Sequence, residues 1–453
     1  MNSTHVVIVG AGPAGVRAAE TLVRKGVAPV LIDEGMRAGG QIYRQQPQGF
    51  SRPAKALYGF EASKANAIHV CAEDLASQID YRPKTLVWNA NADTLDLLCD
   101  DRFEQLGYDR LIVATGATDR VLPVPGWTLP GVYTLGAAQI ALKFQGCAIG
   151  DPVVFAGTGP LLYLVAYQYA KAGAKVTAVL DEAGFSDQCR ALPGLLRQPS
   201  TLAKGLYYRA WLLANGVRVE QGASLVRIDG EKRVASVAWQ QGGVEHSLPC
   251  SAVGFSYALR SETQLADLLG CEFVWSPLNR AWLPRRDASG RSSLEHVYLA
   301  GDGAGIMGAD AAEMAGERAA LAVLQDMGIA VDGARAEKLE RGLAQIERFR
   351  DGLEHAFPFP EGWAAKADDA LMLCRCEEIR VGQLRDVVRA GAVDINRAKA
   401  LCRVGMGRCQ GRMCGAAAME IIACESGLTI DSVGRLRGQA PIKPLPFAVG
   451  PDA

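Results

Sequence analysis

Four cysteines near the end of the chain carry the most explicit chemistry. Cys374-Arg375-Cys376 is followed, 32 residues on, by Cys409-Gln410-Gly411-Arg412-Met413-Cys414, a C-x-C-x32-C-x4-C pattern. Four thiols in two close pairs make a metal site. Structural zinc sites space paired ligands by two to four residues, so C-x-C suits zinc poorly. Two pairs, each closing on one iron, suit a 2Fe–2S cluster better, with zinc as the alternative. Gly405, Gly407, Gly411 and Gly415 bracket the second pair and let backbone N–H groups approach sulfur, which raises a cluster's potential. From Cys374 to Gly415 nine Lys and Arg face four Asp and Glu, a net charge of +5 that offsets a negative cluster. The two-pair pattern is complete without Cys402, and Cys424 reads as core of a following helix. Cys71, Cys99, Cys147, Cys189, Cys250 and Cys271 are scattered and read as small buried hydrophobes.

A second chemistry sits at the other end. The apolar run from His5 to Val9 enters Gly10-Ala11-Gly12-Pro13-Ala14-Gly15, then a helical pattern from Val16 to Lys25, then a strand, Pro29 to Ile32, ending at Asp33-Glu34. This is a G-x-G-x-x-G turn with an acid 23 residues after its first Gly. Gly10 makes the tight turn, Gly12 admits a pyrophosphate, and Gly15 lets helix and strand pack closely. The helix N-terminus offers free N–H groups to the phosphates. Asp33 is the expected ribose acceptor, with Glu34 the neighbouring candidate. Three further segments follow in order: Gly39-Gly40-Gln41; Leu111 to Ala117, a strand running into Thr115-Gly116; and Val297 to Gly303, a strand ending at Gly301-Asp302 before a small-residue helix, Ala309 to Leu324. Near the first of these, Tyr43 and Arg44 are substrate-site candidates, with a role in cofactor phosphate or loop structure as the alternative.

The middle of the chain repeats the strand-turn-helix with a change. Val153 to Thr158 leads into Gly157-Thr158-Gly159-Pro160-Leu161-Leu162, and the next strand ends at Asp181. Leu162 replaces the third Gly, and no Arg pair follows Asp181 to hold a 2′-phosphate. NADPH is therefore disfavoured, leaving NADH, another adenine nucleotide or a vestigial site. C-x-x-C is absent from the nucleotide-binding regions, which counts against a dithiol reductase.

These parts must be held by a chain of 453 residues, enough for about three domains. Lys plus Arg is 48 against 49 Asp plus Glu, which excludes a broad polyanion-binding face and hence nucleic acid. Twelve Cys are too few for a disulfide scaffold. The start, Met1 to Thr4, shows no basic n-region, and no stretch of ~18 apolar residues suggests a membrane span. The expected location is the cytoplasm, with the inner-membrane surface as a peripheral one. Pro358 to Gly362 reads as a linker after a helical stretch, Arg335 to Glu354, and the tail from Pro441 to Pro451 as a strap or docking segment.

Over roughly residues 1–330 the ordered motifs resemble the flavoproteins with two dinucleotide-binding domains, the group of thioredoxin and ferredoxin reductases. That resemblance implies an α/β fold with a Rossmann-like, discontinuous FAD domain. It also implies Asp302 on the ribitol and the following helix N-terminus at the flavin. The end of the chain resembles the bacterioferritin-associated-ferredoxin-like 2Fe–2S domain. The wording from Gly405 to Gly415, Gly39 to Arg44, the variant Gly157 to Leu162 and the tail Pro441 to Pro446 resemble one group more specifically. These are the larger subunits of hetero-oligomeric amine and amino-acid dehydrogenases: opine oxidase A subunits, proline and hydroxyproline dehydrogenase alpha subunits, and hydrogen cyanide synthase B subunits. Phe255 to Arg260 departs from that group, where a Gly and a Pro are usual, which points to an altered pocket.

The domain expectation is an FAD domain over 1–122 and 251–330, an inserted nucleotide domain over 123–250, a helix and linker over 331–365, a helical 2Fe–2S domain over 366–430 and a Pro-rich tail over 431–453. The expected cofactor residues are Gly10, Gly12, Pro13, Ala14, Gly15, Asp33, Glu34, Gly40, Gln41, Thr115, Gly116, Gly157, Gly159, Gly301 and Asp302, with Cys374, Cys376, Cys409 and Cys414 on metal. No catalytic residue is legible: none of the five His sits in an acid–base constellation. The resemblance implies that a smaller FAD-dependent beta subunit oxidises the C–N bond. An interface FMN and a small third subunit are further expectations. It implies that this chain relays electrons to a quinone or the respiratory chain. A NADH-dependent FAD/2Fe–2S reductase is the alternative.

Overall fold

The computed structural model describes residues 5–446 apart from Gln48 and Ser51; the start of the chain, Met1 to Thr4, and the tail beyond 446 lie outside the described residues. The first sheet is parallel, in the order Val297–Leu299, Arg110–Val113, Val6–Val9, Val30–Ile32, Asp80–Arg82. Its central strand is buried at every position, as a strand covered on both faces must be. The helices Pro13–Val23 and Ala309–Asp326 cover one face. They can touch because Gly316 has no Cβ; one there would lie 2.0 Å from the Ala14 carbonyl oxygen. An antiparallel layer, Leu86–Ala90, Thr94–Cys99 and Arg102–Gly107, contributes to the core of the other face.

The second sheet is also parallel: Arg218–Gln221, Val176–Asp181, Val153–Thr158, Ala252–Tyr257, Val132–Thr134. The strand Ala252–Tyr257 is fully buried beside Val153–Thr158, so the chain leaves this sheet after 257, later than the boundary at 250 read from the sequence. Val253, Phe255 and Tyr257 are needed to finish the inserted core. Ala258 then turns the corner at φ +66°, a left-handed conformation that favours glycine.

Helix Gly333–Ala356, capped by the Asp332 side chain, packs on Phe185–Leu195 where Gly352 meets Gly194. No helix or strand occupies 357–362. The last unit is a short hairpin, Met372–Cys374 with Ile379–Arg380, and helices Val381–Arg389, Ile395–Cys402 and Gly415–Ser426. Its core is continuous with that of the inserted domain through residues such as Trp127, Val253, Leu371 and Ile421. No helix among the described residues is long and apolar enough to cross a membrane.

Candidate functional site

The first glycine turn is built by close approach. A Cβ on Gly10, at φ +108°, would lie 2.3 Å from the Ala114 oxygen, and one on Gly15 would lie 1.8 Å from the Gly10 oxygen. Gly12 caps the helix Pro13–Val23 with no side chain over its N–H groups. Gly40, at φ +62°, faces Gly12 across 3.0 Å from its would-be Cβ, and Gln41 is exposed beside it. Gly301, at φ +70°, abuts Ala14, which brings Asp302 to the same end of the sheet. Asp302 Oδ1 accepts the N–H groups of Met307 (2.8 Å) and Gly308 (2.9 Å), bracing the start of helix Ala309–Asp326. Burial pushes its carboxyl pKa up against those two bonds. Thr115 and Gly116 (φ +74°, open space beyond it) close the third side. This narrow, backbone-lined slot between two helix N-termini fits an extended dinucleotide.

Asp33 takes a bracing role. Its two oxygens accept the N–H groups of Ala11 and Gly35, each at 2.6 Å, and burial raises its pKa. Glu34 is left outward and pairs with Lys443 of the tail at 2.7 Å.

The four cysteines come together, but not in their sequence pairs. The Cys374 thiol contacts Cys414, and Cys376 contacts Cys409. No three of them close around one point, and the same holds for every group of His, Cys, Asp and Glu among the described residues. The Cys414 thiol hydrogen-bonds to Cys374. Burial opposes it, the N–H groups of Gly405, Glu377 and Cys376 reinforce it, and the Cys374 pKa is held down to about 5. Gly407 is obligatory, because its Cβ would lie 2.3 Å from that of Cys376. Cys402 donates its thiol to the Ala398 carbonyl one turn back in its own helix. Cys424, expected in the core, is exposed, as are Cys147 and Cys189; Cys250 and Cys271 are buried, and Cys71 and Cys99 are half-buried.

Residues 4–316 match the model of the pyridine nucleotide-disulphide oxidoreductase family. The chain belongs to that family. Residues 372–424 match the BFD-like [2Fe-2S] binding domain, so this family member carries an iron–sulfur module behind its flavin domain. The A subunit of opine oxidase from Rhizobium meliloti is 36% identical, with 98% of this chain and 86% of that protein aligned. The hydrogen cyanide synthase subunit HcnB of Pseudomonas aeruginosa is 34% identical over 98% of this chain and 97% of its own. The crystal structure of L-proline dehydrogenase from P. horikoshii superposes with a TM-score of 0.72 at 18% identity, covering 98% of this chain and 78% of that one. The chain is thus an FAD-dependent oxidoreductase with a 2Fe–2S cluster domain. FAD accepts electrons in pairs and releases them singly to a one-electron cluster.

The family's second glycine motif is retained in shape. Gly157 (φ +119°) would place a Cβ 1.9 Å from the Ser256 oxygen, and Gly159 (φ +112°) caps the helix Pro160–Lys171. Its acid, however, is consumed internally. Asp181 is wholly buried, accepts the Tyr163 hydroxyl at 2.7 Å and the Ala183 N–H at 3.1 Å, and burial raises its pKa to about 7. Leu162 sits in the core where the family turn has Gly.

Several residues escaped the sequence reading. Lys143 is buried, donates to the Ile42 carbonyl at 2.9 Å, and burial together with Arg44 lowers its pKa to about 7. Glu262 and Arg412 form a buried ion pair at 2.6 Å. Although burial works against it, Arg412 and then Arg260 hold the Glu262 carboxyl below its usual range. Partners separated by 150 positions leave no local signal.

Proposed function

We propose that this chain is the electron-relaying subunit of a hetero-oligomeric dehydrogenase acting on opines, proline-type amino acids or related secondary amines. The C–N bond is oxidised in a smaller flavin-bearing partner, and electrons leave through the FAD and cluster of this chain toward a quinone of the respiratory chain. Within the chain, Gly10, Gly12, Pro13, Ala14, Gly15, Gly40, Gln41, Thr115, Gly116, Gly301 and Asp302 hold FAD. Glu34 rather than Asp33 takes the ribose, and Cys374, Cys376, Cys409 and Cys414 hold the cluster. The FAD domain spans 1–122 and about 258–330, around the inserted nucleotide domain.

One observation carries the reading: Glu262 hydrogen-bonds to the flavin-site turn Thr115-Gly116 and ion-pairs with Arg412 of the cluster loop. This link between the glycine turn and the cysteine loop supports a flavin and a cluster held as neighbours. The sequestered Asp181 argues that the electrons do not enter as NADH. The test is an anaerobic titration of the flavin- and cluster-loaded chain, followed by visible absorbance. NADH is expected to leave both bands unchanged while dithionite bleaches them, and the co-expressed partner with an opine or proline is expected to bleach them as well. Stoichiometric bleaching by NADH would replace this reading with the NADH-dependent reductase.

A further inference from the structure

The segment 259–264 lies between the two redox sites. Its strand Leu259–Ser261 pairs with Ala117–Asp119, directly after the Thr115-Gly116 turn. Glu262 donates its N–H to the Gly116 carbonyl at 2.9 Å, and its own carbonyl accepts the Thr115 hydroxyl at 2.6 Å. The same segment then takes three successive carbonyls of the cluster loop. Gln264 Nε2 donates to Gln410 O at 2.6 Å, and Arg260 Nη1 donates to Gly411 O at 3.4 Å and Arg412 O at 3.2 Å. The Glu262 carboxylate grips the Arg412 guanidinium with both oxygens, at 2.6 and 3.1 Å. That pairing leaves Arg260 with no ion pair among the described residues. Its Nη1 lies 3.8 Å from where a Cβ on Gly415 would stand, one residue after Cys414. The Glu262 carboxylate still acts on Arg260 through space, but its oxygens are committed to Arg412, and in this partly buried site the Arg260 charge acts over a low local dielectric.

We propose that Arg260, Glu262 and Gln264 are positioning residues that fix the cluster loop against the flavin turn, and that Arg260 sets the cluster's potential upward through its charge. The proposal rests on the relay reading above. A cluster gains negative charge on reduction, so a fixed cation beside it favours the reduced form and a fixed anion opposes it. The left-handed corner at Ala258 stands two residues before Arg260, at the start of this segment.

Charge and position separate experimentally. The full chain, loaded with FAD and cluster, is titrated with a chemical reductant. The cluster is followed by electron paramagnetic resonance and the flavin by absorbance. Arg260→Met is expected to lower the cluster midpoint and leave that of the flavin unchanged. Glu262→Gln is expected to move the cluster midpoint the opposite way, and Arg260→Lys to keep it near the native value. Gln264→Leu, which alters no charge, is expected to keep the midpoint but to speed loss of the cluster to a chelator. Should Arg260→Met fail to assemble a cluster, the signs for Glu262→Gln and Arg260→Lys decide. A cluster midpoint unmoved by every charge change, or shifts of one sign at both 260 and 262, would overturn the proposal. These midpoints need no second protein, so failure of the relay itself would appear only in the substrate titration.

Discussion

At Gly15 the backbone leaves no room for even one methyl group. Its Cβ would stand 1.8 Å from the Gly10 carbonyl, so Gly15→Ala must push apart the turn and helix that frame the FAD slot. Overpacking of this kind costs roughly 1–3 kcal/mol. The expected outcome is a folded chain purified without yellow flavin, read from the absorbance ratio. Asp181 gives a pH-dependent counterpart. Its folded pKa, raised to about 7, lies above the unfolded value. Its contribution is therefore full at low pH and is lost as pH rises through about 7. Asp181→Asn, which cannot ionise, should gain on the native chain between pH 4 and pH 8, by at most ~4 kcal/mol. Urea melts at the two pH values check this; an equal gap at both would refute it. At this scale the sequence was legible where the residue type itself is the signal. Gly10 and Gly15 declare themselves by type and spacing. Asp33 and Asp181 do not, because strand-end acids look alike whether they face a ribose or brace a turn.

Among the elements, the packing between the cluster unit and the inserted domain matters most. Trp127 Nε1 donates to the Met372 carbonyl at 2.7 Å, and Trp363 Nε1 donates to the Pro123 carbonyl at 3.0 Å. The two indoles cross the junction in opposite directions. Trp127→Phe removes one donor and leaves the carbonyl two residues before Cys374 without its partner, at a cost of about 1–3 kcal/mol. The cluster is expected to be lost faster to a chelator, with flavin content unchanged. Loss of flavin at the same rate would mean that the junction does not act locally on the hairpin. Strand and helix positions were readable from apolar runs, but the return from the inserted sheet was not. Ala252–Tyr257 shows the same unbroken burial as a flavin-domain strand would. Only its pairing with Val153–Thr158 assigns it.

On the scale of the whole molecule, the tail ties the two redox units together. Beyond the last helix it crosses back over the flavin domain. Ile442 is buried in the core beneath the antiparallel layer, and its N–H donates to the Trp88 carbonyl at 3.0 Å. The Ile442 carbonyl accepts Arg412 Nη1 of the cluster loop at 2.6 Å, and Lys443 reaches Glu34 at 2.7 Å. The sequence offered a strap or a docking segment for Pro441 to Pro451; the contacts of Ile442 and Lys443 favour a strap for the start of it, and 447–451 lie outside the described residues. The two anchors differ in weight. Lys443–Glu34 is an ion pair with Glu34 largely exposed, a class worth about 0–1 kcal/mol, so Lys443→Ala should leave both redox sites intact. Burying an Ile side chain is worth about 1.5–3 kcal/mol, and here it also fixes the carbonyl that holds Arg412. Ile442→Ala is therefore expected to lower flavin retention and cluster lifetime together, as seen by absorbance during dialysis against a chelator. If only one of the two falls, the tail serves a single domain, and the coupling of cluster loop to flavin site runs through the segment of Arg260, Glu262 and Gln264.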